Sequence, residues 1–205
     1  MAEIQERFPL FPLGLVLLPQ ERIPLHIFED RYRTMIGECL ENEREFGIIW
    51  LSDDGLKEIG CSARIDRVLE QFEDGRLNIL VEGTSPFRLL RRIEELPYPA
   101  GDVELLEDVA DGDPAVAAAA RDRYGDLVER VTDERPDPES LEDLDAYGMA
   151  ATLDVAPDAK QSLLEQRSES DRLERLDALF TSALERIQLV ETAAERSRGN
   201  GSMRS

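Results

Sequence analysis

Phe8-Pro-Leu-Phe-Pro-Leu-Gly-Leu-Val-Leu-Leu-Pro19, Ile23-Pro-Leu-His-Ile-Phe28 and Phe46-Gly-Ile-Ile-Trp-Leu51 are the apolar pieces on which the fold turns. Prolines 9, 12, 19 and 24 punctuate the first two too often for a helix. Each lacks the amide N–H a helix would use and clashes with the preceding turn, so both pieces are predicted as short strands or edge segments. Between Phe28 and Phe46 the period changes. Tyr32, Met35, Ile36, Cys39 and Leu40 recur at helical spacing, which predicts an amphipathic helix over about residues 30–44. Asp30 is placed to cap it, and Gly47 lies beyond its end. Phe46–Leu51 then reads as a buried strand.

Working outward, residues 52–60 are polar and contain Asp53-Asp54-Gly55, a loop signal. A strand is predicted from Cys61 to Phe72. Asp74-Gly75 supplies a hairpin turn, and Leu77, Ile79 and Val81 alternate with polar residues as a half-buried strand does. Phe87–Ile93 extends that strand after an interruption from Gly83 to Pro86. A last strand is expected over Gly101–Leu106. Several short antiparallel strands with one inserted helix predict a small mixed barrel.

Beyond residue 110 the period is helical. Asp113-Pro114 opens a helix whose buried side is Val116, Ala120, Tyr124, Leu127, Val128 and Val131. A second helix is expected from about Glu139 to Leu153, and a third, short one from Pro157. A long fourth begins near Ser168, with the stripe Leu173, Leu176, Phe180, Ala183 or Leu184, Ile187 and Val190. The expected organisation is a β-barrel subdomain over 1–110, a helical subdomain over 111–197 and a disordered polar tail over 198–205.

Three groups of residues resemble one family. The run from Phe8 to Arg33 is similar to the opening of the Lon protease N-terminal domain, the LON substrate-binding domain. That family opens with a Pro-Leu-rich strand, a turn after proline, then Pro-Leu-x-(apolar)-Phe before the first helix. Pro9-Leu10, Pro19 and Pro24-Leu25-His26-Ile27-Phe28 match, with Gln20 in place of the usual glycine or histidine. Ile59-Gly60-Cys61-Ser62-Ala63-Arg64-Ile65, Asp74-Gly75 and Leu80-Val81-Glu82-Gly83 match the family's strand, hairpin and Leu-Val-x-Gly ending. Asp158-Ala-Lys-Gln-Ser-Leu-Leu-Glu165 and Ser170-Asp-Arg-Leu-Glu-Arg-Leu176 match its helical motifs. The resemblance runs from about residue 8 to about 192. It implies an α+β fold: a small PUA-like mixed β-barrel with one inserted helix, followed by an α-helical bundle ending in a long helix.

Composition narrows the function classes. The 205 residues carry a formal net charge of −21. Such a chain is repelled by nucleic-acid backbones and anionic membranes, so neither is an expected partner. The acidity has two readings: an acidic surface encoded by a GC-rich genome, or adaptation to high salt. The N-terminus lacks the basic and apolar regions of a secretory signal, and no apolar run reaches the ~18 residues of a membrane helix. A cytoplasmic location is expected. Cys39 and Cys61 read as buried free thiols rather than a disulfide or metal pair.

Catalytic schemes find few atoms here. Lon proteases join this domain to an ATPase and a Ser-Lys peptidase, but the sequence holds no G-x-x-x-x-G-K-[ST] loop. Lys57 and Lys160, the two lysines, lack the peptidase context. His26 is the sole histidine and reads as structural or simply exposed. Trp50 lies in a continuous apolar run and reads as core. No catalytic residue, cofactor or metal site is expected, and the resemblance implies the recognition domain in stand-alone form, without motor or peptidase.

The expected function is therefore a non-catalytic protein-binding module for unfolded or degron-bearing polypeptides. The means would be apolar surface and a strand edge left by Leu13–Leu18. Leu13, Leu15, Phe28, Asp30, Arg31 and Thr34 are the candidate binding residues. Partners would be such polypeptides and a protease or chaperone. The alternative is a scaffold or adaptor docking a folded partner, or a homodimer mate, through the helical half. A small-molecule site in the barrel mouth is a third reading, for which no residue selects a ligand.

Overall fold

A computed structural model of the chain describes residues 3–109 and 111–201, the last eight of these as backbone only. The contacts sort the described residues into two compact units. The first holds the residues up to 109 together with 147–168; the second holds 111–146 and those from 169 onward.

The first unit is built on six strands. β1 is Glu3–Leu13, β2 Arg22–Ile27, β3 Phe46–Ser52, β4 Gly55–Gln71, β5 Leu77–Ile93 and β6 Ala100–Leu105. The order is β2-β5-β4-β3-β1-β6, and β6 pairs back onto β5. Five strands therefore close a barrel while β2 lies outside the ring. The sheet is mixed, because β1 and β3 run parallel and the other pairs antiparallel. Helix α1, Asp30–Glu41, is the inserted helix. Glu29, not Asp30, is its N-cap residue, and no side chain caps it; Asp30 is already the first helical residue and binds Arg33 one turn on.

Two sequence breaks close up in the fold. The loop expected over 52–60 shrinks to Asp53-Asp54, and β4 begins at Gly55, whose positive φ of 110° turns the hairpin. The interruption expected at Gly83–Pro86 is absent, because β5 passes straight through it. Pro86 faces Cys61 beside a register shift, where its missing N–H is tolerated.

The barrel core is Phe8, Leu10, Ile49, Phe87 and Val103, all at most 2% exposed. Phe87 meets Phe8 edge-on with centroids 5.9 Å apart. A side chain on Gly60 would strike the Phe87 ring and the Ile48 carbonyl, so Gly60 is small to admit that ring. The Leu13–Leu18 segment, expected to offer an edge, instead turns inward. Val16, Leu17 and Leu18 are buried.

That inward turn is fastened by β5 on one side and by a later helix on another. Gly83 donates its N–H to the Glu21 carbonyl at 2.9 Å and accepts from Gln20 at 2.8 Å. The Glu21 carboxylate accepts from the Leu18 N–H at 3.0 Å and pairs with Lys160. Lys160 lies on α5, Pro157–Glu165. Its neighbour Gln161 donates to the Ile59 carbonyl at 3.2 Å. Just downstream, Val109 donates to the Arg167 carbonyl at 2.8 Å, and Arg167 donates to the Glu107 carbonyl. These bonds, together with the buried Leu163 and Leu164, tie α5 and the residues after it to the first unit.

The second unit pairs α2, Pro114–Thr132, with α6, Glu169–Gly201. They run in the same direction: Asp113 N–H meets Ser170, Arg123 meets Asp177 and Arg130 meets Glu191. Asp113 caps α2 through the Ala115 N–H at 2.8 Å. Val131, expected on the buried side of α2, is 67% exposed at its last turn. The single helix expected over 139–153 is two, α3 at Pro138–Glu142 and α4 at Ala146–Ala151. Arg121 takes the Leu144 carbonyl and Glu169 takes the Ala146 N–H, two groups a continuous helix would have needed. The α6 stripe is buried through Phe180, half-buried at Ile187 and exposed at Val190. Of the tail expected over 198–205, residues up to Gly201 are helical, and 202–205 lie outside the described residues.

Substitutions at the fastened turn, with one in α1 for contrast, check this account. A Cβ on Gly83 would stand 2.1 Å from the Leu18 carbonyl oxygen, so Gly83→Ala is expected to lower stability by more than ~2 kcal/mol in urea denaturation. Gly37→Ala, inside α1 with open space around it, is expected to raise it by ~0.5–1 kcal/mol. Lys160→Met leaves the Glu21 carboxylate buried without its cation and is expected to cost ~3–5 kcal/mol. The double substitution Glu21→Gln, Lys160→Met is expected to recover part of that loss.

Candidate functional site

β4 and β5 are each 17 residues long, longer than the barrel needs. Beyond Ala63, β4 has left β3 behind and pairs only with β5. The first half of β5 then lies between β2 and the second half of β4, so a three-stranded ribbon projects from the ring.

Its register aligns side chains in rows across the ribbon. Arg22, Glu82 and Arg64 form one row, with Arg22 bonded to Glu82 at 2.9 Å and Arg64 at 3.4 Å. The hydrogen bonds and charge of Arg22, with Arg64 behind it, hold the Glu82 carboxyl below the usual range. Pro24, Leu80 and Arg67 form the next row. His26, Asn78 and Glu70 form the third. The His26 Nδ1 lies 2.6 Å from Asn78 Oδ1, and Asn78 donates to Glu70 at 3.0 Å.

Beyond the third row the ribbon ends in rings. His26 stacks on Phe28 with centroids 5.7 Å apart and meets Phe72 edge-on at 6.1 Å. The Arg76 guanidinium lies over Phe72, 5.0 Å from its centroid, and is tied to Asp74 at 2.8 Å. Arg33, from α1, donates to the Asp74 carbonyl at 2.5 Å and so fixes the hairpin tip. Phe28 remains 59% exposed despite these neighbours. Leu69 is the extra residue at a register shift between Val68 and Glu70, and the bulge leaves it 49% exposed. It lines a shallow depression with Pro24, Leu25, His26, Glu70 and Asn78.

A second apolar feature lies elsewhere on this unit. A groove of about 370 Å³ is walled by Leu10, Pro12, Leu56, Ile93, Leu96 and Tyr98, with Arg31 and Arg92 at its rim. The Tyr98 hydroxyl donates to Glu38.

The residues singled out from the sequence are scattered across these features. Phe28 stands in the ring cluster and Arg31 at the groove, paired with Glu29 at 2.8 Å and placed over the Tyr32 ring. Leu13 ends β1 opposite Trp50, half-buried. Leu15 is half-buried in the segment that follows. Thr34 donates to the Asp30 carbonyl at 3.0 Å, and the Asp30 carboxylate binds Arg33, so both spend polar groups within α1. His26, Leu69, Phe72 and Asn78 were not singled out as binding residues. The alternation Pro24, His26, Phe28 was the signal for one face of a strand. Trp50 is half-buried under Lys57 rather than fully enclosed.

Cys39 and Cys61 are buried and free. Burial pushes the Cys39 thiol up to about 11 and the Cys61 thiol higher still, so neither supplies a thiolate near neutrality. Among the described residues no group of three or more His, Cys, Asp or Glu is arranged to hold a metal ion, and no helix is long and apolar enough to cross a membrane.

The chain belongs to the ATP-dependent protease La (LON) substrate-binding domain family, whose model matches residues 7–182. It is 26% identical over 201 residues to a Lon protease of Paraburkholderia phytofirmans, covering 90% of this chain and 25% of that protein. A Lon protease of Anaeromyxobacter dehalogenans is 25% identical over 80% of the chain and 22% of its own length. The chain thus spans about a quarter of the Lon proteases it matches. Among solved structures, a Lon N-terminal domain protein from Xanthomonas campestris superposes with a TM-score of 0.65 at 28% identity, covering 83% of this chain and 96% of that one. The N-terminal domain of a Mycobacterium avium complex Lon protease, at 19% identity and TM-score 0.65, shares the fold over 87% of this chain and 98% of its own.

Burial, helped by the bond to Glu38, pushes the Tyr98 hydroxyl up to about 12. The fold favours the neutral forms of Tyr98, Cys39 and Cys61. Their contribution is whole below the unfolded values and is lost as pH rises through the folded ones. The urea midpoint is therefore expected to fall between about pH 9 and pH 12. Tyr98→Phe, which cannot ionise, is expected to shallow that fall.

Proposed function

We propose that this chain binds unfolded or degron-bearing polypeptide segments and breaks no bonds itself. Phe28 carries the reading: a large ring, exposed, yet stacked on His26 at the end of the three-stranded ribbon. Exposed aromatics fixed in one rotamer offer apolar area at little ordering cost, which is what a binding hot spot needs. Leu69 extends the apolar surface, and the groove beside Arg31 offers a further one on the same unit. Leu13 and Leu15, half-buried after the first strand, would be peripheral contacts, and Asp30 and Thr34 would shape the start of α1 rather than touch a client. Clients would pass to a separate ATP-dependent protease or a chaperone, in the cytoplasm. The names of the relatives support a place in proteolysis.

One observation favours a docking role for the helical unit. Leu189 and Val190 on α6 are 70% and 69% exposed, just before the Arg130–Glu191 pair near the end of α2. A second copy or a folded adaptor partner would cover them.

The two readings separate in one experiment. Fluorescence anisotropy with a labelled, permanently unfolded protein is expected to show Phe28→Ser binding at least tenfold more weakly than the parent, with an unchanged urea midpoint because the ring is exposed. Leu189→Glu is expected to leave that binding alone. The reverse pattern, together with loss of a dimer in sedimentation, would move the function to α6.

A further inference from the structure

We propose that His26 is a hydrogen-bonding residue of the client site: its ring is held with the proton on Nδ1, and its Nε2 accepts a backbone N–H from the bound segment. This rests on the reading of Phe28 as the client site; it names the polar contact that accompanies the apolar one.

A carboxylate fixes the tautomer through an amide. Asn78 Nδ2 lies 3.0 Å from Glu70 Oε2. An ionised carboxylate only accepts, so the Asn78 amide turns its NH2 toward Glu70. Its Oδ1 is thereby left facing His26, 2.6 Å from Nδ1. An amide oxygen also only accepts, so Nδ1 carries the proton. A neutral imidazole has one donor nitrogen and one acceptor. Nε2 is therefore the acceptor, and among the described residues no donor meets it.

The neighbouring rings and strands set where that acceptor stands. His26 stacks on Phe28 with 21° between the ring planes, and Phe72 meets it edge-on. The imidazole is exposed, in one row with Asn78 and Glu70, and lines the depression with Pro24 and Leu69. An acceptor of fixed tautomer thus stands beside exposed apolar surface. An unfolded chain carries a backbone N–H on every residue except proline. A leucine or phenylalanine seated against Phe28 or Leu69 therefore brings a donor with it, whatever the sequence around it.

Acid removes the acceptor. His26 is the sole histidine of the chain, and histidine is the side chain that changes charge between about pH 5 and pH 8. In the protonated ring both nitrogens donate. Nδ1 keeps Asn78, while Nε2 turns an N–H toward the client's N–H. Binding is strongest with His26 neutral and weakens as pH falls. The charged groups on the elements around the ring are Glu70 and Arg67 of β4, Asp74 and Arg76 of the hairpin tip, Arg33 of α1 at that tip, and Glu29 with Arg31 just past Phe28. Carboxylates and guanidiniums as classes titrate outside that window.

The test uses the full chain and a rhodamine-labelled peptide of leucine, phenylalanine, glycine and serine with blocked termini. Such a peptide has no side-chain N–H and nothing to titrate between pH 5.5 and 7.5. Loss of one neutral hydrogen bond is about three- to tenfold in affinity, which is the weakening expected in anisotropy from pH 7.5 to pH 5.5. His26→Phe keeps a ring against Phe28 but has no nitrogen. It is expected to bind at pH 7.5 as weakly as the parent does at pH 5.5, with a flat profile between. Replacing the peptide's amides by esters one at a time is expected to reproduce the loss at one position, in the parent only. Nitrogen-15 NMR at pH 8, where one imidazole gives all the histidine signals, is expected to show the proton on Nδ1 and to move the Nε2 signal when peptide is added. A proton on Nε2, a parent profile that is flat or rises toward acid, a slope that survives in His26→Phe, or no binding of the peptide at either pH would overturn the proposal. The client reading would outlive that result if Phe28→Ser still weakened binding of unfolded protein. Silence of Phe28→Ser as well would sink both.

Discussion

The structure of the first unit depends on one backbone meeting another at a position with no side chain between them. Gly83 on β5 and the Leu18–Glu21 turn exchange hydrogen bonds at a separation only glycine allows. The turn would otherwise bring buried N–H and C=O groups into an apolar region with nothing to bind. The Glu21 carboxylate completes the arrangement by taking the Leu18 N–H, and it then needs a cation, which Lys160 supplies from α5. A buried carboxylate with both a donor and a counter-ion is tolerable, and with neither it is not. So one close approach between strand and turn calls for a lysine 139 residues further along the chain. That lysine and its neighbour Gln161 bring α5 back to the barrel.

This explains which parts of the fold were legible. Leu80-Val-Glu-Gly83 and Asp158-Ala-Lys-Gln161 stood out as family motifs, and both prove to be parts of the same fastening. The sheet, the inserted helix and the long last helix were readable because their apolar periods, 2 and 3.6, are strong. The return of 147–168 to the barrel unit was not readable. Its buried residues Leu163 and Leu164 do not say in the sequence what covers them, and polar contacts such as Arg167 to the Glu107 carbonyl leave no period. The split of α3 from α4 was hidden for the same reason: the Glu169 and Arg121 side chains that break the helix come from distant positions. Gln20 sits where the family usually has glycine or histidine, and it adopts a φ of 66° that a glycine would take without strain.

The candidate site was half legible. Phe28 was visible as an apolar residue at the end of a short strand, next to a helix start. The surroundings of its partner His26 were not, because Leu69 and Phe72 lie more than forty residues on and reach His26 only through the long β4–β5 hairpin. The expected edge at Leu13–Leu18 was displaced by burial: those residues have the right composition for an edge, and the fastening at Gly83 turns them inward. The free edge passes to β2, the next strand along, whose position outside the barrel ring leaves it paired on one side. The same fastening thus shapes the core and exposes the ribbon.

Hydrogen–deuterium exchange of the full chain, with and without a permanently unfolded protein in excess, tests this account most directly. Slowed exchange in residues 22–28 and in the hairpin from 66 to 82 is the expected result. Protection confined to 114–132 and 169–193, or absent from the whole chain under conditions where the two bind, would contradict it.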